Sequence, residues 1–378
     1  QARHAALAIP TRVCHMASMS TELVAQTKSS LVGAYAAIVA MLIIPQFFLV
    51  HPYLHLLIMA PLLVWTGCQR SLLMAQMAPE DSQVETVSKK DAMKFPLIGS
   101  VVLFSLYLVV KLVKKEYLDV LIACYFSVLG AFGIFGCIQT PVTDLLGMGG
   151  LKQYSVHFNY QFWRKQEDKE PISFKFNLLD VALFGGCVGL SVAYALTKAW
   201  YLNNAMGCAF SVQGIEMLSL GSFVIGAILL MGLFVYDVFW VFGTEVMVAV
   251  AKGLNAPVKI MFPKALGVTP IPFSMLGLGD IVIPGIFVAL MLRFDHKQGF
   301  TSTPYFHANF VAYVLGLGAT VGVMHFFDAA QPALLYLVPA CLGAALLTAA
   351  SRGELQLLLN YSEEKTEEQD AAAEKKAK

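Results

Sequence analysis

Charge is what this chain has least of. Only 13% of its 378 residues are Asp, Glu, Lys or Arg, while 57% are hydrophobic and the mean hydropathy is +0.67. That balance lies far from the composition of a soluble domain, so the chain reads as a polytopic membrane protein. With 26 Lys and Arg against 25 Asp and Glu, it has no basic excess to hold a nucleic acid or gather acidic substrates. Cysteine is sparse and unpatterned. The seven cysteines include no CxxC pair and no metal-type spacing with histidine, and six of them lie in apolar runs, where they read as small core residues. The absence of HExxH argues against an intramembrane zinc protease. No GxSxG motif accompanies a plausible histidine, which argues against a membrane serine protease.

Long apolar runs are what the chain does have. A bilayer core needs about 20 mostly apolar residues per helix, and the candidates are 31–50, 54–74, 96–113, 118–138, 178–199, 203–220, 222–250, 273–293, 305–326 and 332–350. The expected fold is an all-α bundle of nine or ten transmembrane helices. The open point is the first pair, separated only by "HPYL", which reads as two helices, a hairpin, or one span and a surface segment. Residues 1–30 are expected to be a disordered arm, 31–351 the membrane-embedded domain, and 352–378 a cytosolic charged tail with too few apolar residues to fold. The longest polar connection, 139–177, carries the charge cluster "RKQEDKE". Alternating sides from a cytosolic C-terminus puts sixteen Lys and Arg on the tail's side and seven on the other, which favours that orientation. No short apolar core with a small-residue cleavage site precedes the first run, so targeting is expected from the first span. Met16 and Met19 are plausible starts, which leaves the place of residues 1–15 in the native protein open.

Two aspartates stand out against this background. Asp237 lies inside "LFVYDVFWVF" and Asp280 inside "SMLGLGDIVIPGIF". An aspartate at mid-membrane costs about 2.5–3.5 kcal/mol even on the lenient insertion scale, which makes each a functional candidate. Low dielectric and mutual repulsion would stop two neighbouring carboxylates from ionising together, leaving one shared proton near neutral pH. Such a pair suits amide hydrolysis, in which one carboxylate deprotonates a water while the other polarises the carbonyl. Gly277 and Gly279 let the backbone before Asp280 unwind or approach a substrate. Pro284 has no N–H for the carbonyl of Asp280, so the helix is weakened there and water is expected beside the carboxylate. For either aspartate alone, a buried group hydrogen-bonded across helices is as good a reading as catalysis. For Glu216, Glu245, Asp180, Asp295 and Asp328 the structural reading is preferred, and His325 reads as an interior or interfacial histidine. Pro332, in "AAQPALLYLVPA", suits the first position of the last helix.

Taken together, "YD" at 236–237, "GLGD" at 277–280 and "QPALLYLVP" at 331–339 resemble the intramembrane aspartyl proteases of the presenilin-like superfamily, and within it the signal peptide peptidase family. The resemblance extends through "FPLIGS", "NNAMGCAFSVQGIEMLSLGS" and "VFGTEVMVAVAKGLNAPVKIMFP". The first two hydrophobic segments resemble plant and algal members more than animal ones. The resemblance implies that Asp237 and Asp280 are the catalytic dyad, with Tyr236 beside it. It implies that Gly277, Leu278 and Gly279 line the site, and that Gln331, Pro332, Ala333 and Leu334 shape the cleft and hold substrate. The implied substrates are transmembrane helices of type II orientation, such as remnant signal peptides, unwound to expose the scissile bond. An extended substrate could pair with an exposed enzyme strand. No metal or cofactor is implied. Self-association and partners in membrane-protein degradation remain open.

The family topology has nine spans, a lumenal N-terminus and a cytosolic tail; ten true spans would put the N-terminus in the cytosol. The chain departs from animal members in having no N-x-S/T in residues 1–30, and its one sequon, "NYS" at 360–362, falls in the tail. The short connection 251–272 is unlike the long cleaved loop of presenilins. The N-terminus has no room for a protease-associated lumenal domain. The terminal "KKAK" reads either as a solvated charge run or, given the resemblance, as a di-lysine signal for the endoplasmic reticulum. A proton- or ion-coupled transporter with a buried acid relay, and a membrane scaffold with inert acids, are the competing classes.

Overall fold

The computed structural model describes residues 8–77, 86–147, 152, 154–158, 172–242, 256–300, 302–327 and 331–363. Each of the ten apolar runs has most of its described residues on a helix. In chain order these are α1 (Ala8–Phe47), α2 (Pro52–Met77), α3 (Lys89–Leu112), α4 (Lys115–Leu145), α5 (Leu178–Thr197), α6 (Trp200–Met217), α7 (Phe223–Phe242), α8 (Gly279–Lys297), α9 (Pro304–Phe327) and α10 (Leu334–Arg352), followed by one short helix, α11 (Leu355–Leu359). Local sequence sets many of the boundaries. Pro52 opens α2, where its missing N–H does no harm. Ser88 caps α3 by accepting from the Asp91 N–H, Asn177 and Asp180 form a reciprocal capping box at α5, and Gly353 ends α10 in the left-handed conformation at φ 68°.

Several expectations change here. Residues 8–30, expected to be a disordered arm, continue α1, because between Thr11 and Ser30 no glycine or proline interrupts the chain. The first hydrophobic pair forms two separate helices, broken over 48–51. Residues 273–277, expected at the start of a span, are a strand, and the helix begins only at Gly279. Strand β1 (Thr86–Val87) pairs with residues 219–220, and the polar 139–177 connection carries an antiparallel pair, β2 (Tyr154–Phe158) with β3 (Ile172–Phe176), while its charge cluster lies outside the described residues. Residues 353–363, expected to be unfolded tail, are ordered against the bundle.

Eight of the helices are long and apolar enough to cross a membrane; among the ten, α6 and α8 fall short. Both carry polar residues that interior packing accommodates. In α6, Asn203 and Asn204 are buried, and in α8 the run Phe287 to Met291 is fully buried while Asp295 is 0% exposed. α8 is the centre of the bundle, packed against α2, α6, α9 and α10. α3 lies at the periphery, leaning on α7, with Val101, Val102 and Phe104 directed outward. Such an apolar exterior is what a lipid solvent accepts.

Several acids read as structural turn out to be so. Glu216 accepts two bonds from the Arg70 guanidinium (2.7 and 3.0 Å), Asp295 caps α9 by accepting from the N–H groups of Tyr305 and Phe306 (3.3 and 2.7 Å), and Asp180 also accepts from Gln139. His325 is exposed, with its ring edge-on to Tyr53 at 5.6 Å. Glu245 and Asp328 lie outside the described residues.

The segment after α10 folds back as a clasp. Leu358 is fully buried, and Ser362 forms a β-bridge with Ser222. The Glu363 N–H donates to Gly221 O (2.7 Å), its carboxylate accepts from Arg293 (2.9 Å), and Lys297 donates to Ser362 O (2.9 Å). Ser362 and Glu363 thus tie the start of α7 to the end of α8. Burial, and then the Glu363 carboxylate beside it, push the Tyr361 phenol up, so it stays protonated at neutral pH.

Candidate active site

The clasp sets a common origin for measuring depth along the two helices that carry the singled-out aspartates. At 1.5 Å per residue, Asp237 lies roughly 21 Å along α7 from Phe223, and Asp280 roughly 26 Å back along α8 from Lys297. Running antiparallel from one end, the helices bring both carboxylates to nearly the same level, within electrostatic reach of each other. Asp237 is buried (5% exposed), and Asp280 is partly buried.

Each carboxylate meets a helix N-terminus. The backbone N–H of Leu334, first residue of α10, donates to Asp237 Oδ2 at 3.2 Å, and Asp280 sits in the first turn of α8. Unsatisfied N–H groups and the helix dipole favour negative charge at both places. The arrangement therefore offsets the cost of one buried charge held by the pair. Of the other elements around α10, Pro332 lies two residues before the helix rather than at its first position, with its carbonyl accepting from Leu335 N. Ala333 is the N-cap, Ala333 and Leu334 are buried, and Gln331 is partly buried just before them.

Asp280 is delivered by a hairpin. Strand β5 (Lys259–Pro263) pairs antiparallel with β6 (Phe273–Gly277), Lys259 opposite Gly277. Leu278 then donates to Val258 O (3.0 Å) and caps α8, its carbonyl accepting from Ile281 and Val282. The outer edge of β5 is held by α6. Asn204 accepts from the Met261 N–H and donates to its carbonyl (2.8 and 2.7 Å), and Asn203 donates to Lys259 O (2.8 Å). Because Met261 bonds outward, the register turns the backbone groups of Phe273, Met275 and Gly277 to the free edge of β6, where no described strand pairs with them. Sequence reasoning missed the two asparagines, although paired amides in an apolar run are a legible signal of a polar partner.

Gly277 has a reason beyond flexibility. A Cβ built on it would stand 3.3 Å from Asp280 Oδ2. We expect Gly277→Ala to displace the carboxylate and lower kcat about tenfold with the melting temperature unchanged, as measured by peptide cleavage and thermal unfolding. Wild-type kcat would show that the site tolerates the methyl group. Gly279, on the exposed side of the turn, has only the tip of Ile283 within reach of an added Cβ.

Tyr236 faces the other way, into a groove of about 400 Å³ between α3 and α7, lined by Pro96, Leu97, Ser100, Gly232, Tyr236 and Trp240 among others. Trp240 donates to Ser100 Oγ (3.2 Å), and Pro96 lies against Gly232. The groove is lateral and mostly apolar, and Asp237 is not among its lining residues.

Residues 79–365 match the family model described as signal peptide peptidase. The chain is 43% identical over 330 residues to the signal peptide peptidase of Mus musculus and 42% over 328 residues to that of Homo sapiens, covering 86% of this chain and of each relative. A probable intramembrane protease of Schizosaccharomyces pombe is 36% identical over 302 residues, which is 77% of this chain and 90% of that protein. These likenesses identify an intramembrane aspartyl protease and lend no support to the transporter or scaffold readings. The helical bundle, its many membrane-crossing helices and a match over most of the length lead to one assignment: the chain belongs to the signal peptide peptidase family.

Proposed function

We propose that the chain hydrolyses peptide bonds in transmembrane helices of type II orientation, remnant signal peptides among them, with Asp237 and Asp280 as the catalytic pair. The observation that carries this reading is the convergence of a buried and a partly buried carboxylate and two helix N-termini at one level of the bundle. One carboxylate takes a proton from water as the water attacks the scissile carbonyl. The other, protonated, hydrogen-bonds the developing oxyanion; as the C–N bond breaks, the proton taken from the water passes from the first carboxylate to the leaving nitrogen, so the pair ends with the one proton it began with. The substrate enters by the groove beside Tyr236, unwinds, and adds as a strand to the free edge of β6, where Gly277 leaves room next to Asp280. Gln331, Pro332, Ala333 and Leu334 flank the cleft opposite.

The tail is read as cytosolic and the membrane as that of the endoplasmic reticulum, from the lysine and arginine bias and the terminal KKAK. The Lys28–Asp144 ion pair (3.0 Å) joins α1 to the end of α4. That contact supports a crossing by residues 28–47, with Lys28 on the same side as the C-terminal end of α4.

Reconstitution into vesicles tests the substrate orientation. One labelled peptide helix is inserted in type II orientation and the same composition reversed, and products are read by mass spectrometry. We expect cleavage within the apolar core of the first only. Equal cleavage of both removes the orientation claim, and a wild-type protein that cleaves neither removes the substrate class.

A further inference from the structure

Tyr313 lies midway along α9 and is fully buried, yet its hydroxyl has no hydrogen-bond partner among the described residues. A hydroxyl taken out of water without a partner is destabilising, and phenylalanine would fill the same space without that cost. A phenol kept there calls for a reason.

α9 packs against α8, α10 and α2. The titratable groups that act on the phenol from those helices are Asp280 of α8, Cys341 of α10 and Cys68 of α2. Cys68 already donates to Gly285 O (3.6 Å), which leaves Asp280 as the one acid in reach. Asp280 has the complementary need. Among the described residues its carboxylate accepts no hydrogen bond, and the only acid acting on it is Asp237 of α7, with no titratable side chain of α6, β4 (Ser219–Leu220) or β6 doing so. Pro284 has no N–H to offer the Asp280 carbonyl, so the usual helical partner of that carbonyl is absent. One phenolic donor, one carboxylate and one freed carbonyl supply the two to four polar partners that a buried water requires.

We infer that Tyr313 is a positioning residue for Asp280, holding its carboxylate through a bridging water. The inference rests on the reading of Asp280 as half of the catalytic pair. The phenol donates to the water, and the water donates to the carboxylate and to the backbone carbonyl. This fixes the carboxylate toward Gly277 and Asp237 without placing Tyr313 in contact with substrate.

The test compares wild type, Tyr313→Phe and Asp280→Ala in the full chain, with cleavage of a transmembrane peptide followed from acid to alkaline pH. Tyr313→Phe is expected to lower kcat about tenfold, the size of one hydrogen bond to a charged group. KM should be unchanged, and the alkaline limb of the profile should move to higher pH because a donor favouring the ionised pair is gone. The melting temperature should change little, since the buried ring and its packing are kept. Wild-type kcat and an unmoved limb in Tyr313→Phe, with Asp280→Ala inactive, overturn the inference and leave the catalytic pair standing. Cleavage by Asp280→Ala removes the pair itself. If Tyr313→Phe is inactive, binding of a hydroxyl-bearing transition-state mimic decides: weakened binding with an unchanged melting temperature supports positioning, while a fall in melting temperature assigns the residue to packing and overturns it.

Discussion

Replacing Asp237 or Asp280 with alanine is expected to abolish proteolysis, each change lowering kcat by roughly four orders of magnitude in a transmembrane-peptide cleavage assay. The two losses should be far from additive, because the carboxylates act as one acid–base unit and the double variant has nothing further to lose. Neither change should unfold the protein. Asp280 accepts no hydrogen bond among the described residues, and Asp237 accepts a single backbone bond from Leu334, so each removal also relieves the cost of a charge held in low dielectric. In the wild type, activity should follow a bell in pH. At low pH both carboxylates are protonated and no base remains; at high pH both are ionised and no acid remains. A single variant that cleaves at the wild-type rate, or a flat profile from acid to neutral pH, would sink the assignment.

The second large effect concerns stability. Arg70 of α2 has its donors in use: two to Glu216 of α6, one to the Tyr35 hydroxyl of α1 (2.7 Å), and one each to the Gly136 and Cys137 carbonyls of α4 (2.9 Å). Four helices meet at one guanidinium, whose planar fork supplies the donors in fixed directions. Removing one partner strands the other's charge, with side chains only 12% and 16% exposed. Arg70→Ala or Glu216→Ala should therefore cost about 3–5 kcal/mol, seen as a lower melting temperature in detergent. Arg70→Met combined with Glu216→Leu should recover most of that loss, because no unpaired charge is left behind. Equal destabilisation by the single and double variants would mean that packing, rather than the ion pair, carries the contact.

What could be read from the chain beforehand follows the strength of each physical signal. Long apolar runs report helices directly: each of the ten runs has a helix among its described residues, eight of them long and apolar enough to cross a membrane. Asp237 and Asp280 were conspicuous because charge in such runs is expensive. The β5–β6 hairpin was hidden because "FSMLG" is apolar and continuous with α8, and five residues of such sequence do not separate strand from helix. The hydrogen bond from Leu334 to Asp237 had no signal at all, since the donor is backbone and the fold alone aims it. The clasp was masked by its setting. Tyr361 and Leu358 lie in a charged segment; the burial of Tyr361 depends on Phe294 of α8, whose ring meets it edge-on at 4.9 Å, and that of Leu358 on the packing of α11 against α7 and α10.

The clasp also bears on when the molecule becomes whole. A chain emerges from the ribosome N-terminal end first, so α7 and α8, with both aspartates, enter the membrane before Leu334 exists to bond Asp237 and before residues 361–363 exist to fasten the two helices together. A half-made copy therefore carries both acids on helices that are not yet joined. The order of synthesis thus leaves the fastening of these two helices to the end of the ordered chain.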